Sequence, residues 1–209
     1  MGVTIHYKGR IANTTTRDQL LEELEDICSS MQWKVTRIEQ SSESDPPLNG
    51  IVFNPHPECD LVSFIFDNEG WLCSPVALQY YEQDNPNQRI VSVKTQFSSP
   101  DIHIVIIKVL RYIKQKFVPN LKVTDEGEYW DTEDKERLQE LFKFVNDKLD
   151  QLASQLVADS ENLHKAALTG QLIERLEKLL RQYLGDVKVT VVHRSEKSDG
   201  PDLDSINLN

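Results

Sequence analysis

The spacing of hydrophobic positions changes along the chain, and each change marks an element. Val3, Ile5 and Tyr7 alternate with Thr4, His6 and Lys8, which predicts a strand ended by Gly9 and Arg10. Leu20, Leu21, Leu24, Ile27, Cys28 and Met31 recur at helical spacing, so a helix is expected over 16–31, with Thr16 and Gln19 as its capping box. Strands are expected at 33–38, 50–53 and 61–66. The polar, proline-bearing stretches SSESDPPLN and NPHPECD read as loops, and residues 67–70 as a hairpin turn into a short strand at 71–73.

The chain is organised around 91–118. Val91, Val93, Thr95 and Phe97 share one face of a strand, and Ser92, Lys94 and Gln96 the other. Ser99, Pro100 and Asp101 then make a strong helix start: a capping hydroxyl, a residue with no N–H to satisfy, and an acid at the positive end. The helix that follows carries Ile104, Val105, Ile106, Ile107, Val109, Leu110, Ile113 and Phe117, more than one stripe, so it should be enclosed on most sides. Lys108, Arg111 and Gln115 mark its wet edge, Pro119 stops it, and a strand resumes at 121–124.

Beyond lies the acidic, aromatic loop DEGEYWD at 125–131, after which Asp131 or Thr132 could cap a long helix. In that helix Leu138, Phe142, Val145, Leu149, Leu152 and Leu156 form a heptad seam. A second helical segment runs over 163–184, and a break near 158–160 would let the two fold into a hairpin. Alternatively, the seam pairs with a second copy of the chain. The expected organisation is an α+β sheet domain over 1–131, a helical hairpin over 132–184, a terminal strand over 185–194 and a disordered polar tail over 195–209. The fold class is α+β: a mostly antiparallel sheet with helices packed on one face, plus a C-terminal long-helix hairpin.

Charge narrows the partners. The 209 residues carry a formal net charge of −11; residues 1–124 hold 12 basic and 15 acidic side chains, the remainder 11 and 19. Such a chain repels phosphate backbones at long range, so nucleic acid is not an expected partner. No apolar run approaches the ~20 residues that span a bilayer. The N-terminus lacks a signal-peptide layout, and His6 stands where a myristoylation motif needs Ser or Thr. A cytoplasmic protein with no membrane partner is expected. Cys28, Cys59 and Cys73 make no disulfide framework.

Motifs for nucleotide cradles, nucleophile elbows and zinc proteases are absent, and no cofactor or catalytic residue is assigned. His56, Cys59 and Cys73 have the wrong spacing for a zinc knuckle, so no metal is expected. The carboxylates Asp125, Glu126, Glu128 and Asp131 beside Tyr129 and Trp130 suit a helix entry better than an acid/base pair. His103, in the first turn of the central helix, fits a buried, hydrogen-bonded histidine better than a general base.

One feature stands out against the acidic background. The outward strand positions are Thr4, His6, Lys8, Lys34, Thr36, Ser92, Lys94, Gln96, Lys122, Thr124, Lys188 and Thr190, all basic or neutral. On a helix-free sheet face they would form a site for an anionic small molecule or an acidic protein. Lysine on exposed strands also blocks edge pairing, which explains the same pattern without any ligand. The candidate binding residues are therefore His6, Lys8, Lys34, Lys94, Gln96 and Lys122, with Glu128 and Trp130 from the acidic loop.

At YKGR (7–10), VKTQF (93–97) and DEGEYWDT (125–132) the chain resembles a group of conserved bacterial proteins, over about Val3 to Leu156. The resemblance implies no activity. Two functions are therefore expected from the residues themselves. The first is a non-catalytic interaction or accessory protein, self-associating through Phe142, Leu149, Leu152 and Leu156. The alternative is an enzyme or sensor for a small anion, with its pocket between the VKTQF and DEGEYW loops.

Overall fold

The computed structural model describes residues 3–39, 47–79 and 85–158. The chain divides into two units, 1–153 and 154–209, and the fold is that of the first. In chain order the elements are β1 (Thr4–Lys8), α1 (Thr14–Ser30), β2 (Lys34–Glu39), β3 (Asn49–Asn54), β4 (Val62–Phe66), β5 (Leu72–Cys73), β6 (Val91–Lys94), α2 (Pro100–Lys116), β7 (Lys122–Asp125), α3 (Tyr129–Thr132) and α4 (Lys135–Ala158). Short 3₁₀ turns lie at Pro75–Leu78 and Pro86–Arg89.

The fold is α+β, as expected, but its strands form two antiparallel sheets rather than one. The first has the order β6-β1-β7 and the second the order β2-β3-β4-β5. Both β6 and β7 run antiparallel to β1, so they are parallel to each other with β1 between them, and α2 joins them. This is a split β-α-β unit. β1, α1 and β2 follow one another in the chain but do not form a β-α-β unit within one sheet. Both edges of β1 are taken by β6 and β7, so β2 pairs with β3 instead.

Local chemistry sets most boundaries. Asn13, not Thr16, caps α1: its side-chain oxygen accepts from the Thr16 N–H at 2.8 Å. The helix thus begins two residues early, and Met31, expected inside, falls at its C-cap and is 47% exposed. Ser99 caps α2 as expected. The long helix is capped by Asp134, whose Oδ1 accepts from Arg137 N–H, because Asp131 and Thr132 are used in the short α3. Gly70 adopts φ +83° in the turn before β5, where a side chain would also meet the Ile11 carbonyl.

One core joins the layers. Ile5, Tyr7, Val91 and Val93 of the first sheet, Ile51, Phe53, Phe64 and Phe66 of the second, Leu20, Leu21 and Leu24 of α1, and Ile106, Ile107 and Leu110 of α2 are in a single buried cluster. The second sheet is buried on its other face too, by Leu48, Ile65, Cys73 and Ala77. That is why every residue of β4 is buried and its sequence does not alternate.

The seam of α4 begins inside the protein. Leu138, Phe142 and Val145 pack with Val3 and Ile104. Phe142, expected to meet a second chain, is 3% exposed and stands edge-on to His103. Farther along, Leu149 is 37% exposed. The side chain of Leu156, the second limb of the expected hairpin, the terminal strand with Lys188 and Thr190, and the tail lie outside the described residues. Among the described residues no helix is long and apolar enough to cross a membrane.

The two sheets are joined through β1. Its continuation leaves the first sheet and pairs with the second: Leu72 N–H donates to Gly9 O at 3.0 Å and Ile11 N–H to Gly70 O at 2.8 Å, with Arg10 opposite Trp71. Tyr7 completes the join. Its hydroxyl donates to Ser63 O at 2.8 Å and accepts from Ser63 N–H at 3.2 Å, while its ring stacks on Phe64. The two-residue β5 pairs only with Ile65 and Phe66, so the phenol serves the stretch of β4 that β5 does not reach. Burial raises the Tyr7 pKa far above its ordinary value, against the lowering effect of the Ser63 bonds. Tyr7→Phe leaves a buried N–H and carbonyl unpaired, and should lower the unfolding free energy by about 1–3 kcal/mol in urea titrations; an unchanged midpoint would rule out this role.

Candidate functional site

The first sheet has α2 on one face and polar side chains on the other. The register sets the polar rows: Lys94 beside Thr4, then Ser92, His6 and Thr124 in line, then Lys8 beside Lys122. Lys8, Ser92, Lys122 and Thr124 are exposed, and Thr4, His6 and Lys94 half-buried. His6 is held in mid-face by Ser92 Oγ at 2.8 Å, with Glu126 at 3.8 Å.

Four of the eight candidates, His6, Lys8, Lys94 and Lys122, thus share one face. The other four do not. Lys34 lies on β2, an edge strand of the second sheet. Gln96 turns inward after β6 ends and is 3% exposed, its Oε1 accepting from no group among the described residues. Glu128 stands at a left-handed φ of 57° and pairs with Arg137. Trp130 packs against the core under Arg111.

At the Lys8 end the face runs into a cleft of about 590 Å³ lined by Lys8, Gly9, Arg10, Trp71, Pro86, Arg89, Asn120 and Lys122. The crossing of β1 between the sheets builds it. Arg10 is fixed at its backbone by a reciprocal pair with Asn120: Arg10 N–H donates to Asn120 Oδ1 at 2.8 Å, and Asn120 Nδ2 donates to Arg10 O at 2.9 Å. Its side chain is fixed by Nε–H donating to Glu69 O and by the Trp71 ring, 5.2 Å away. Arg89 reaches the same ring at 4.8 Å. Gly9 allows the close approach, since a Cβ there would stand 3.0 Å from Val118 and 3.2 Å from Asn120.

Among the described residues, four cations and no carboxylate line this cleft, in a chain of net charge −11. Among the described residues, no acid pairs with Lys8, Arg10 or Lys122. The acidic neighbours of the face lie at its other end, where Glu126 approaches His6 and Asp60 accepts from Lys94 N–H. Lys8 and Lys122 were legible as outward strand lysines. Arg10, Trp71 and Arg89 were not, because only the tertiary crossing brings 8–10, 71 and 86–89 together.

The VKTQF and DEGEYW loops also meet, at the opposite end of the sheet, but packed side chains fill the space between them. Thr95 Oγ1 lies 2.8 Å from His103 Nδ1 and donates to Val3 O; His103 Nε2 lies 3.0 Å from Asp125 Oδ1. That last approach is a close polar contact rather than a well-aligned hydrogen bond. Asp125 also accepts from Gly127 N–H at 2.7 Å and Trp130 N–H at 2.9 Å. A methyl at Gly127 would come within 2.7 Å of Leu138 and 2.9 Å of His103. The order Thr–His–Asp has the outline of an activated nucleophile, but Thr95 and the His103 and Asp125 side chains are 0% exposed. Without substrate access it is a clamp tying the ends of β6, α2 and β7.

Cys59 and Cys73 are buried thiols whose pKa burial pushes up to about 12, and His56 Nδ1 accepts from the Glu58 N–H. Comparison with protein-family models, curated proteins and solved structures finds no match to the chain.

The clamp has a pH signature. Burial by itself would raise the Asp125 pKa; His103 and the Trp130 and Gly127 N–H groups outweigh it and hold the carboxyl below its ordinary value. A depressed folded pKa stabilises the native state above the ordinary carboxylate range, and that stability is lost as pH falls through the depressed value. Asp125→Asn should cost about 3–5 kcal/mol at neutral pH and flatten the acid limb of a stability–pH curve. Parallel curves for variant and parent would remove Asp125 as the cause.

Proposed function

We propose that this protein is a non-catalytic binding or accessory module that holds an anionic partner on its basic sheet face and in the cleft at the Lys8 end. The observation that carries this reading is the convergence of Lys8, Arg10, Arg89 and Lys122 around one concavity that, among the described residues, no carboxylate lines. Lysine placed only to block edge pairing would not need two guanidiniums fixed on a tryptophan beside it. The cleft has the volume of a small-molecule site. The one nucleophile-like constellation discussed is sealed, which supports binding over turnover.

The far half of α4 supports a second reading, self-association. Leu149 is 37% exposed and Leu152 half-buried, beyond the turn where Val145 makes the seam's last core contact. Phe142 is already committed to the core, so among the described side chains the pairing surface would be carried by Leu149 and Leu152. Sedimentation velocity should show a concentration-dependent oligomer that Leu149→Gln with Leu152→Gln abolishes; a monomer at all concentrations removes this reading.

The binding reading is tested by titrating the full chain calorimetrically, at low and high salt, with pyrophosphate, citrate and a poly-glutamate peptide. At least one should bind, more weakly as salt screens the cations, and should be recovered unchanged. Lys8→Glu with Lys122→Glu should weaken it by tenfold or more while the melting temperature holds. No heat from any of the three at low salt would refute the module.

A further inference from the structure

We infer that the cleft's ligand is a phosphorylated small molecule whose phosphate lies among Lys8, Arg10, Arg89 and Lys122 and whose organic part rests on Trp71 and Pro86. This deepens the binding reading and rests on it.

Charge is the first support. Lys8 and Lys122 are direct cross-strand partners, and like charges placed opposite each other repel. Two guanidiniums share the same concavity. A carboxylate brings one negative charge, whereas a phosphate monoester carries about −1.5 to −2 at neutral pH and a linked pair more. Phosphate relieves Lys8, Arg10 and Lys122 together, where a single carboxylate leaves two of the three unneutralised.

Geometry is the second. Arg10 spends its Nε–H on Glu69 O and lays its plane near Trp71, so its terminal nitrogens are preorganised at the cleft. A planar guanidinium edge matches two phosphate oxygens at once. Arg89, 4.8 Å from the same ring, adds a second positive charge beside it. Size is the third: about 590 Å³ is far more than one phosphate group fills. The half-buried indole of Trp71 and the ring of Pro86 supply an apolar wall for the remainder. Distribution is the fourth. Four cations meet within one cleft in a chain of net charge −11, and a compact ligand can reach them without crossing the acidic surface beyond.

The test titrates the full chain with ADP, pyrophosphate, adenosine, citrate and a single-stranded oligonucleotide. ADP is expected to bind at least tenfold more tightly than pyrophosphate, and adenosine and citrate at least a hundredfold more weakly than ADP. Lys8→Gln and Lys122→Gln, exposed strand positions that should fold normally, are each expected to weaken ADP about tenfold and reduce its salt dependence. Lys108→Gln, at an exposed position of α2, should leave ADP binding unchanged. Citrate or poly-glutamate binding without any phosphate compound would overturn the phosphate assignment while leaving the binding module intact. Pyrophosphate equal to ADP would overturn the role of Trp71 and Pro86, and an oligonucleotide tighter than ADP would overturn the small-molecule class. Silence from all of them, with citrate and poly-glutamate silent too, would take the module down with the assignment.

Discussion

Strand β1 belongs to two sheets, and the rest of the structure depends on that sharing. Residues 4–8 sit between β6 and β7; residues 9–11 pair with the turn and strand that begin at Gly70. A strand can change partners only if its backbone groups are satisfied on both sides of the change. Here Gly9 permits close packing against Val118 and Leu121, Asn120 closes on Arg10, and the Tyr7 hydroxyl satisfies both backbone groups of Ser63. Without this join, α1 with the second sheet and α2 with the first would be separate layers, each with too little to bury.

The cleft follows from the same join. Where one ribbon turns from one sheet into another, the faces diverge and leave a concave angle. The side chains at the turn, Lys8, Arg10 and Trp71, necessarily line it. The opposite end of β1 shows the contrasting outcome. There Thr95, His103 and Asp125 close the split β-α-β unit with a polar network sealed by Gly127, Leu138 and Phe142. One end of the sheet spends its polar groups on each other; the other keeps its cations facing outward. A buried charge must be paired, whereas an exposed one can wait for a ligand.

Much of this was legible beforehand for a local reason. Period-two alternation at 3–8 and 91–94, and the Ser99-Pro100-Asp101 start of α2, are decided by residues within a few positions of one another. His103 was expected to be buried and hydrogen-bonded, and it is. The errors came where a choice was not local. Asn13 displaced Thr16 as the α1 cap because either residue can do the chemistry. Gln96 was assigned outward by continuing the alternation past Lys94, where the strand stops and the chain turns.

The amino-acid sequence alone determined the element types, most of the core-facing residues, the α+β class and the contrast between acidic background and basic strand positions, since periodicity and charge are properties of neighbours. Only the tertiary structure decided that there are two sheets, that Lys34 leaves the basic face, and that Arg10 and Arg89 meet at Trp71. Those outcomes depend on which strand edges are already occupied when β1 crosses over, and edge occupancy is set by pairings between residues dozens of positions apart.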